Sequence, residues 1–389
     1  MATANGGSGG GAIGVLETRG MAALTAAGDA MLKAAEVRVA GRHGIGSGWV
    51  TLVVEGQVAA VQRAVEVGRS EAERVGEVIY SQVIPRPAPQ AMARLPHPGA
   101  GGQRTVGPGA LGMLETQGIA PLVVGADAMV KAANVQLAGW AFIGAALCHA
   151  VVRGDVAAVQ AAVQAGQQAA QEVGTVHATL VLPQPIDGIG PLLPPAPSGP
   201  EDHVGALGVL ETTGYVSSVG GADAMVKAAE VDVVRLTIGS GGRIAVLVRG
   251  ALDSVAAALE AGRAGAEQVG ALDASVVISR PDPQTMACFA AAAPGAAGRI
   301  GQAMGLIETR STVALVKGMD EMLKAANVEY QGRYKVGYFL TAGVVRGDVG
   351  AVRAALDVGA VEAARHGELV SVHLIPYPYP ELEERLPHR

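Results

Sequence analysis

The chain has 389 residues, half of them hydrophobic, with 55 glycines, 3% aromatics and a formal net charge of −6. That length exceeds one domain of ordinary size, and so mild an acidic balance excludes an electrostatic grip on nucleic acid. Two cysteines, Cys148 and Cys288, with no CxxC spacing, exclude a disulfide framework.

The opening MATANGGSGGG carries neither a basic nor an apolar stretch, so it does not read as a secretory signal. No uninterrupted apolar run reaches the roughly 18 residues of a membrane span. The expected location is therefore the cytoplasm. Ile13–Thr18 follows as a short apolar strand. Met21–Ala35 has apolar residues at helical spacing and strong helix formers. Val37–Ala40 reads as a second strand, Gly41–Gly48 as a glycine-rich turn, and Trp49–Val54 as a third strand closed by Gly56. Gln57–Val75 is a second amphipathic helix, stopped at Gly76. Val78–Ile84 is the last strand, and Pro85 ends it.

This order, β-α-β-β-α-β, then recurs three times. Gly14-Val15-Leu16-Glu17-Thr18 returns at Gly112–Thr116, Gly208–Thr212 and Gly305–Thr309. An Asp-x-Met-x-Lys-Ala-Ala signature begins at Asp29, Asp127, Asp223 and Asp320. A strand ends in glycine at Gly56, Gly154, Gly250 and Gly347, preceded by Arg in the last three copies and by Glu55 in the first. Asp155 and Asp348 stand where they could cap the second helix of their copies. From the first Gly to the closing Pro (Pro87, Pro185, Pro281, Pro378) is 73 positions every time.

The fold class expected is α+β, four tandem ferredoxin-like modules at 12–87, 110–185, 206–281 and 303–387. The linkers 88–109, 186–205 and 282–302 are rich in Pro, Gly and Ala. About twenty extended residues reach up to roughly 65 Å, which allows modules side by side or stacked. A module of about 75 residues buries only about 60% of its unfolded surface, so four joined modules gain by packing edge to edge.

These linked motifs resemble the bacterial microcompartment shell domain. The resemblance rests on the GxLET opening, the D-x-M-x-K-A-A helix end, the glycine-rich turn before a V-R-G strand, and the I-P-R-P close. The last stretch, Leu374–Pro387, is also similar to that family's C-terminal close. It implies hexagonal tiles that pack edge to edge into a shell around enzymes. One chain of four modules cannot fill a six-position tile evenly, whereas three chains carry twelve modules, so a homotrimer forming two pseudo-hexagons is expected. The partners implied are further copies of this chain, other shell proteins and encapsulated enzymes, without nucleic acid or membrane and without a cofactor.

The resemblance also implies residue roles. Lys33, Lys131, Lys227 and Lys324 match the family's tile-edge lysine, and Arg86 and Arg280 its partner arginine, replaced by Gln184 and Tyr377 in the other copies. Pore-lining positions fall at Ile45, Gly46, Ser47 and Gly48, then Ile143, Gly144, Ala145 and Ala146. The third and fourth copies supply Gly239, Ser240, Gly241 and Gly242, then Val336, Gly337, Tyr338 and Phe339. The first and third loops are small, and the fourth carries two bulky rings that would narrow a channel.

Other readings are weaker on chemistry. Gly-Ser-Gly precedes a strand, not the helix that a phosphate cradle needs. Glu17, Glu115, Glu211 and Glu308 recur at a strand end without a repeating His, Ser or Asp partner, which points to a structural hydrogen bond near the first helix and not to catalysis. Cys148 and His149, adjacent in a strand, point to opposite faces and do not make a metal pair. Cys288 falls in a linker. The expectation is a non-enzymatic shell protein whose pores pass small metabolites. The alternative is a soluble ferredoxin-like regulator that binds a small molecule.

Overall fold

The computed structural model describes residues 11–88, 106–197, 205–239, 241–289, 302–336 and 340–378, and of Ile45 the backbone only. Each repeat folds into its own four-stranded antiparallel sheet with two helices. In module 1 these are β1 (Ala12–Arg19), α1 (Met21–Ala34), β2 (Val37–Gly46), β3 (Trp49–Gly56), α2 (Val58–Val75) and β4 (Glu77–Ile84). Module 2 has β5 (Ala110–Gln117), α3 (Ile119–Ala132), β6 (Val135–Gly144), β7 (Leu147–Gly154), α4 (Val156–Val173) and β8 (Thr175–Leu182).

Module 3 has β9 (Ala206–Thr213), α5 (Tyr215–Ala228), β10 (Asp232–Ile238), β11 (Arg243–Gly250), α6 (Leu252–Glu267) and β12 (Ala271–Ile278). A short helix, α7 (Pro283–Phe289), follows it. Module 4 has β13 (Ala303–Thr309), α8 (Thr312–Ala325), β14 (Glu329–Val336), β15 (Leu340–Gly347), α9 (Val349–His366) and β16 (Leu369–Ile375). The strand order is the same in every sheet, β2-β3-β1-β4 in module 1, so the first strand lies inside with a partner on each side. That order is the ferredoxin-like one.

Side-chain volume sets the packing of helix on sheet. Gly14, Gly112, Gly208 and Gly305 sit in the first strand under a valine of the second helix. A Cβ on Gly14 would stand 2.5 Å from a Val65 methyl, and one on Gly112 2.6 Å from Val163. Likewise the methionine of the D-x-M motif presses on a helix glycine: a Cβ on Gly68 would lie 2.3 Å from Met31 Cγ. A strand–helix spacing this tight cannot take a larger residue without shifting. The motif spacing is therefore a packing constraint.

Three local expectations change. The second strand of module 1 does not stop at Ala40 but runs to Gly46, with bulges at Val39/Gly41 and Gly44/Gly46 that keep it paired to β3. Asp155 and Asp348 occupy the N-cap positions of α4 and α9, yet neither side chain makes a capping bond. Two of the linkers carry structure. Asp187–Leu192 forms a 3-10 helix, buried at Ile189 and Leu192, and α7 is buried along Thr285–Phe289. The first lies against module 1, where Arg42 Nη1 donates to the Leu192 carbonyl at 3.4 Å. The second lies on module 2, with Trp140 Nε1 donating to the Cys288 carbonyl at 2.9 Å and its ring stacked on Phe289. Pro and Gly end regular elements, but here apolar side chains still dock the segment.

Candidate assembly seams and pore loops

The first helix of each of modules 1–3 begins at a glycine: Gly20, Gly118 and Gly214, with φ of 93°, 103° and 103°. None can offer a side-chain cap, and an α-helix leaves its first four N–H groups without internal acceptors. The next module supplies the acceptor. Glu115, at the end of β5, accepts from Met21 N at 2.6 Å and Ala22 N at 3.0 Å. Glu211 accepts from Ile119 N at 2.7 Å and Ala120 N at 3.2 Å. Glu308 accepts from Tyr215 N at 2.8 Å and also from Val216 N. A carboxylate at a helix N-terminus is favoured both by these bonds and by the helix dipole.

Glycine is required there by space as well as by backbone. A Cβ on Gly20 would stand 2.1 Å from Glu115 Oε1, and one on Gly118 2.6 Å from Glu211 Oε2. Burial dominates the electrostatics. It pushes the Glu115 carboxyl up to about 7 from 4.5, against the opposing pull of its two backbone N–H donors. Glu211 and Glu308 are raised by the same cause. The third partner differs at each seam. His177 Nε2 lies 3.6 Å from Glu115, Arg243 bridges Glu211 and Asp273 at 3.9 and 3.4 Å, and Ser371 Oγ donates to Glu308 at 3.4 Å.

The far end of the same helix is also gripped. Asp29 Oδ1 accepts from Ile186 N at 2.8 Å, and Lys33 Nζ donates to the Gln184 carbonyl at 2.5 Å and to Asp29 at 2.6 Å. At the second seam Asp127 Oδ1 accepts from Asp282 N at 2.6 Å. Each aspartate thus holds the segment that leaves the next module's last strand. Between these two ends the apolar contact is continuous. One buried cluster joins α1 residues such as Leu24 to Leu111, Met113 and Leu180 of module 2. A second joins Val123 to Leu207, Val209 and Ile278 of module 3. A third joins Val219 to Met304, Leu306 and Ile375 of module 4, with Tyr215 stacked on Tyr334 at 4.4 Å. The modules therefore stand side by side in one row with three like seams.

The loops between the second and third strands gather along one side of that row. A Cβ on Gly144 would stand 2.8 Å from Gly48 N, and one on Gly241 2.8 Å from Ala146 N, so backbones of successive loops abut. Ser47, Ala145 and Ala146 take the left-handed region at φ 54°, 51° and 65°. Gly46, Gly48, Gly144, Gly241 and Gly242 also have positive φ. Each loop is tied to the helix start: Gly20 N, Gly118 N and Gly214 N donate to the carbonyls of Gly48, Ala146 and Gly242. Ile143 and Gly239 join the abutting set, the first by its carbonyl near Gly44 and the second against the Phe142 ring. Val336 is buried at the close of β14. Ser240, Gly337, Tyr338, Phe339 and the Ile45 side chain lie outside the described residues.

The lysines stand apart from these loops, each paired with the aspartate one turn before it: Lys131 with Asp127, Lys227 with Asp223 at 2.5 Å, Lys324 with Asp320 at 2.5 Å. Arg86 and Arg280 are exposed at the end of their sheets. Cys148 and Cys288 are buried, free thiols, pushed up by burial, Cys288 to about 12. His149 is fully buried and pushed down to about 3 by the same cause. No group of three or more His, Cys, Asp or Glu that could hold a metal ion occurs among the described residues, and no described helix is long and apolar enough to cross a membrane.

The model of the BMC domain matches residues 12–87, 110–185, 206–281 and 303–378. The chain belongs to the BMC domain family. It is 39% identical over 193 residues to the carboxysome assembly protein CcmO of Synechocystis, a match covering 48% of this chain and 65% of that relative. It is 52% identical over 86 residues to the bacterial microcompartment shell protein EutM of Escherichia coli, covering 22% of this chain and 89% of that relative. To the bacterial microcompartment shell protein PduA of Citrobacter freundii it is 51% identical over 86 residues, covering 22% of this chain and 92% of that relative. The last two matches are the length of one BMC domain, and the first the length of two.

Sequence reading points to the recurring glutamate without its partner, because that partner lies 91 to 94 residues away in another module. The available signal is a pair of recurrences: a helix start with glycine in place of Ser, Thr, Asp or Asn, and an acid three residues before that glycine. The aspartate of the D-x-M-x-K motif belongs by sequence to a helix end, and the structure adds its hold on the following module.

Proposed function

We propose that this chain is a structural shell protein of a bacterial microcompartment, located in the shell, that builds pseudo-hexagonal tiles with a pore at the centre. The observation that carries this reading is the triplicate seam. One mode of contact, used three times in series with the loops on one side, is the geometry of an arc about an axis. The loops would then line a passage selected by diameter and by backbone hydrogen-bonding groups. The lysines and the exposed Arg86 and Arg280 lie at helix and sheet ends, away from the loops, where tiles would meet. Non-enzymatic assembly suits the seams, whose recurring carboxylates Glu115, Glu211 and Glu308 are taken up in capping the neighbouring helix.

Four sectors leave a six-sector tile two short. Three chains carry twelve modules, enough for two tiles, so the homotrimer is the smallest assembly of this chain alone that fills whole tiles. Other BMC shell proteins are the remaining class of partner, and encapsulated enzymes the cargo. Electron microscopy of the purified chain tests the reading: sheets or tubes with a hexagonal repeat are expected, and discrete particles that gain stability with a small ligand would overturn it.

A further inference from the structure

One cross-strand position joins opposite charges in three modules and not in the second. It lies where the second strand of a module begins and the third ends. Arg38 faces Glu55 in module 1, Asp232 faces Arg249 in module 3, and Glu329 faces Arg346 in module 4. Arg38 and Glu55 form an ion pair, and Arg249 Nε lies 3.0 Å from Asp232 Oδ2. In module 2 Arg153 of β7 faces Gln136 of β6, so the cation is kept and the acid is missing. We propose that this place binds the carboxylate of a small monocarboxylic acid, which takes the part that an acidic side chain plays in the other modules. The inference stands apart from the shell reading.

The state of Arg153 carries the proposal. The residue is only 8% exposed. Its Nη2 donates to the carbonyls of Gly107, Pro108 and Gly109, the last two at 3.0 and 3.1 Å. Those acceptors bear no charge. Nη1, also buried, has no hydrogen-bond partner. Asp187 acts on the guanidinium through space, without a bond to it. An arginine stays protonated in a protein, so titration cannot remove this charge. A buried charge is costly unless it is paired and hydrogen-bonded. A bound carboxylate supplies both the counter-charge and a charge-assisted bond.

There is room for such a ligand beside it. A groove of about 540 Å³ reaches Arg153 and is lined also by Pro108, Asn134, Gln136 and Gln284. Its walls are set by the rest of the fold. Pro108 belongs to the strap that Arg153 holds, and Gln284, at the start of α7, is fixed at both ends of its amide. Gln284 Oε1 accepts from Leu137 N at 2.8 Å, and its Nε2 donates to the Val135 carbonyl at 3.3 Å. Asn134 and Gln136 are exposed, and their amide groups offer further donors to a carboxylate oxygen. Arg153 is the charged residue of this lining. One cation balances one carboxylate and leaves a phosphate dianion under-compensated, so the charge selects the monocarboxylate.

The test uses the full-length chain with butyrate as the probe. Butyrate is expected to raise the unfolding midpoint saturably, and its neutral isostere butyramide, or sodium chloride at equal ionic strength, is expected not to. Gln136→Glu puts the missing acid back within the chain, at the place of Asp232 and Glu329. Calorimetry is expected to show that this exposed substitution weakens butyrate binding about tenfold or more. Without ligand the variant is expected to unfold no earlier than the parent, which separates a filled site from a damaged fold. A parent chain that butyrate does not protect, or a Gln136→Glu chain that binds butyrate as the parent does, would overturn the proposal. Inorganic phosphate protecting the parent where butyrate does not would overturn the assignment to a carboxylate. The shell reading is decided separately, by the hexagonal sheets or tubes in the microscope.

Discussion

Met21, Ile119 and Tyr215 begin their helices under a neighbour's carboxylate, and Thr312 begins its helix under the chain's own Ser311. The first three starts are buried and the fourth is open. The same repeat thus appears in two electrostatic settings within one molecule. At a closed seam a carboxylate is stripped of water and compensated by two backbone donors and the helix dipole. At the open end a hydroxyl does a smaller part of that work in solvent. The difference shows that capping here is an intermodule device, and that a chain end must find its own substitute when the neighbour is missing.

The strongest way to break this comparison is to delete the acid at a closed seam. Glu211→Ala leaves Ile119 N and Ala120 N buried without an acceptor and removes one partner of Arg243. The expected cost is about 2–4 kcal/mol, the range for unpaired buried donors and a broken buried ion pair. Glu17→Ala, at the open end, should stay within about 0.5 kcal/mol in the isolated chain. Denaturant unfolding gives the totals, and hydrogen exchange at residues 119 and 120 localises the loss to the seam. Equal effects at both sites would mean that the seams contribute nothing beyond the modules' own stability.

Acidity gives a second, finer handle on the same contrast. Burial raises the folded-state pKa of Glu115 to about 7 from an ordinary 4.5. A raised carboxyl pKa means that the folded chain holds the proton more tightly than the unfolded chain. This group's contribution is therefore fully present below about pH 4.5 and is lost as the pH climbs through 7, by at most about 3 kcal/mol. Glu115→Gln removes that slope between pH 5 and 8 while keeping one amide oxygen as acceptor. Unfolding measured across that range checks it: a slope unchanged by the substitution would place the titration elsewhere.

Much of the fold was legible because the repeat is a packing rule. Gly14 under Val65 and Gly68 under Met31 tolerate no other spacing, so four gapless copies announced four like modules before any contact was known. The seams were legible only as a residue without a role. A recurring glutamate beside an uncapped glycine gives the donor problem and its solution, but nothing in the linear order says that one module solves it for another. The order within two of the linkers is not legible, for a related reason. Ile189, Leu192, Cys288 and Phe289 are too few to show a period, and they become ordered by the surface that an earlier module offers them. The fourth module's edge is legible last, since Ser311 looks like ordinary drift until three closed seams are available for comparison.

The smallest effect is the most discriminating. Ser311→Ala removes a single cap bond at a solvent-exposed helix start, at a cost of about 0.5–1 kcal/mol, and Ser311→Gly should cost only a few tenths. Chemical unfolding at low protein concentration reads these values for the isolated chain. Glycine costs less because, having no side chain, it leaves water free to reach the amides that the hydroxyl had served. Both variants remove the same hydroxyl, so the difference between them reads solvation of the helix start alone. No cost for Ser311→Ala would mean that the bond to Ala314 N contributes nothing in solution and that the open end differs from the closed seams in burial only.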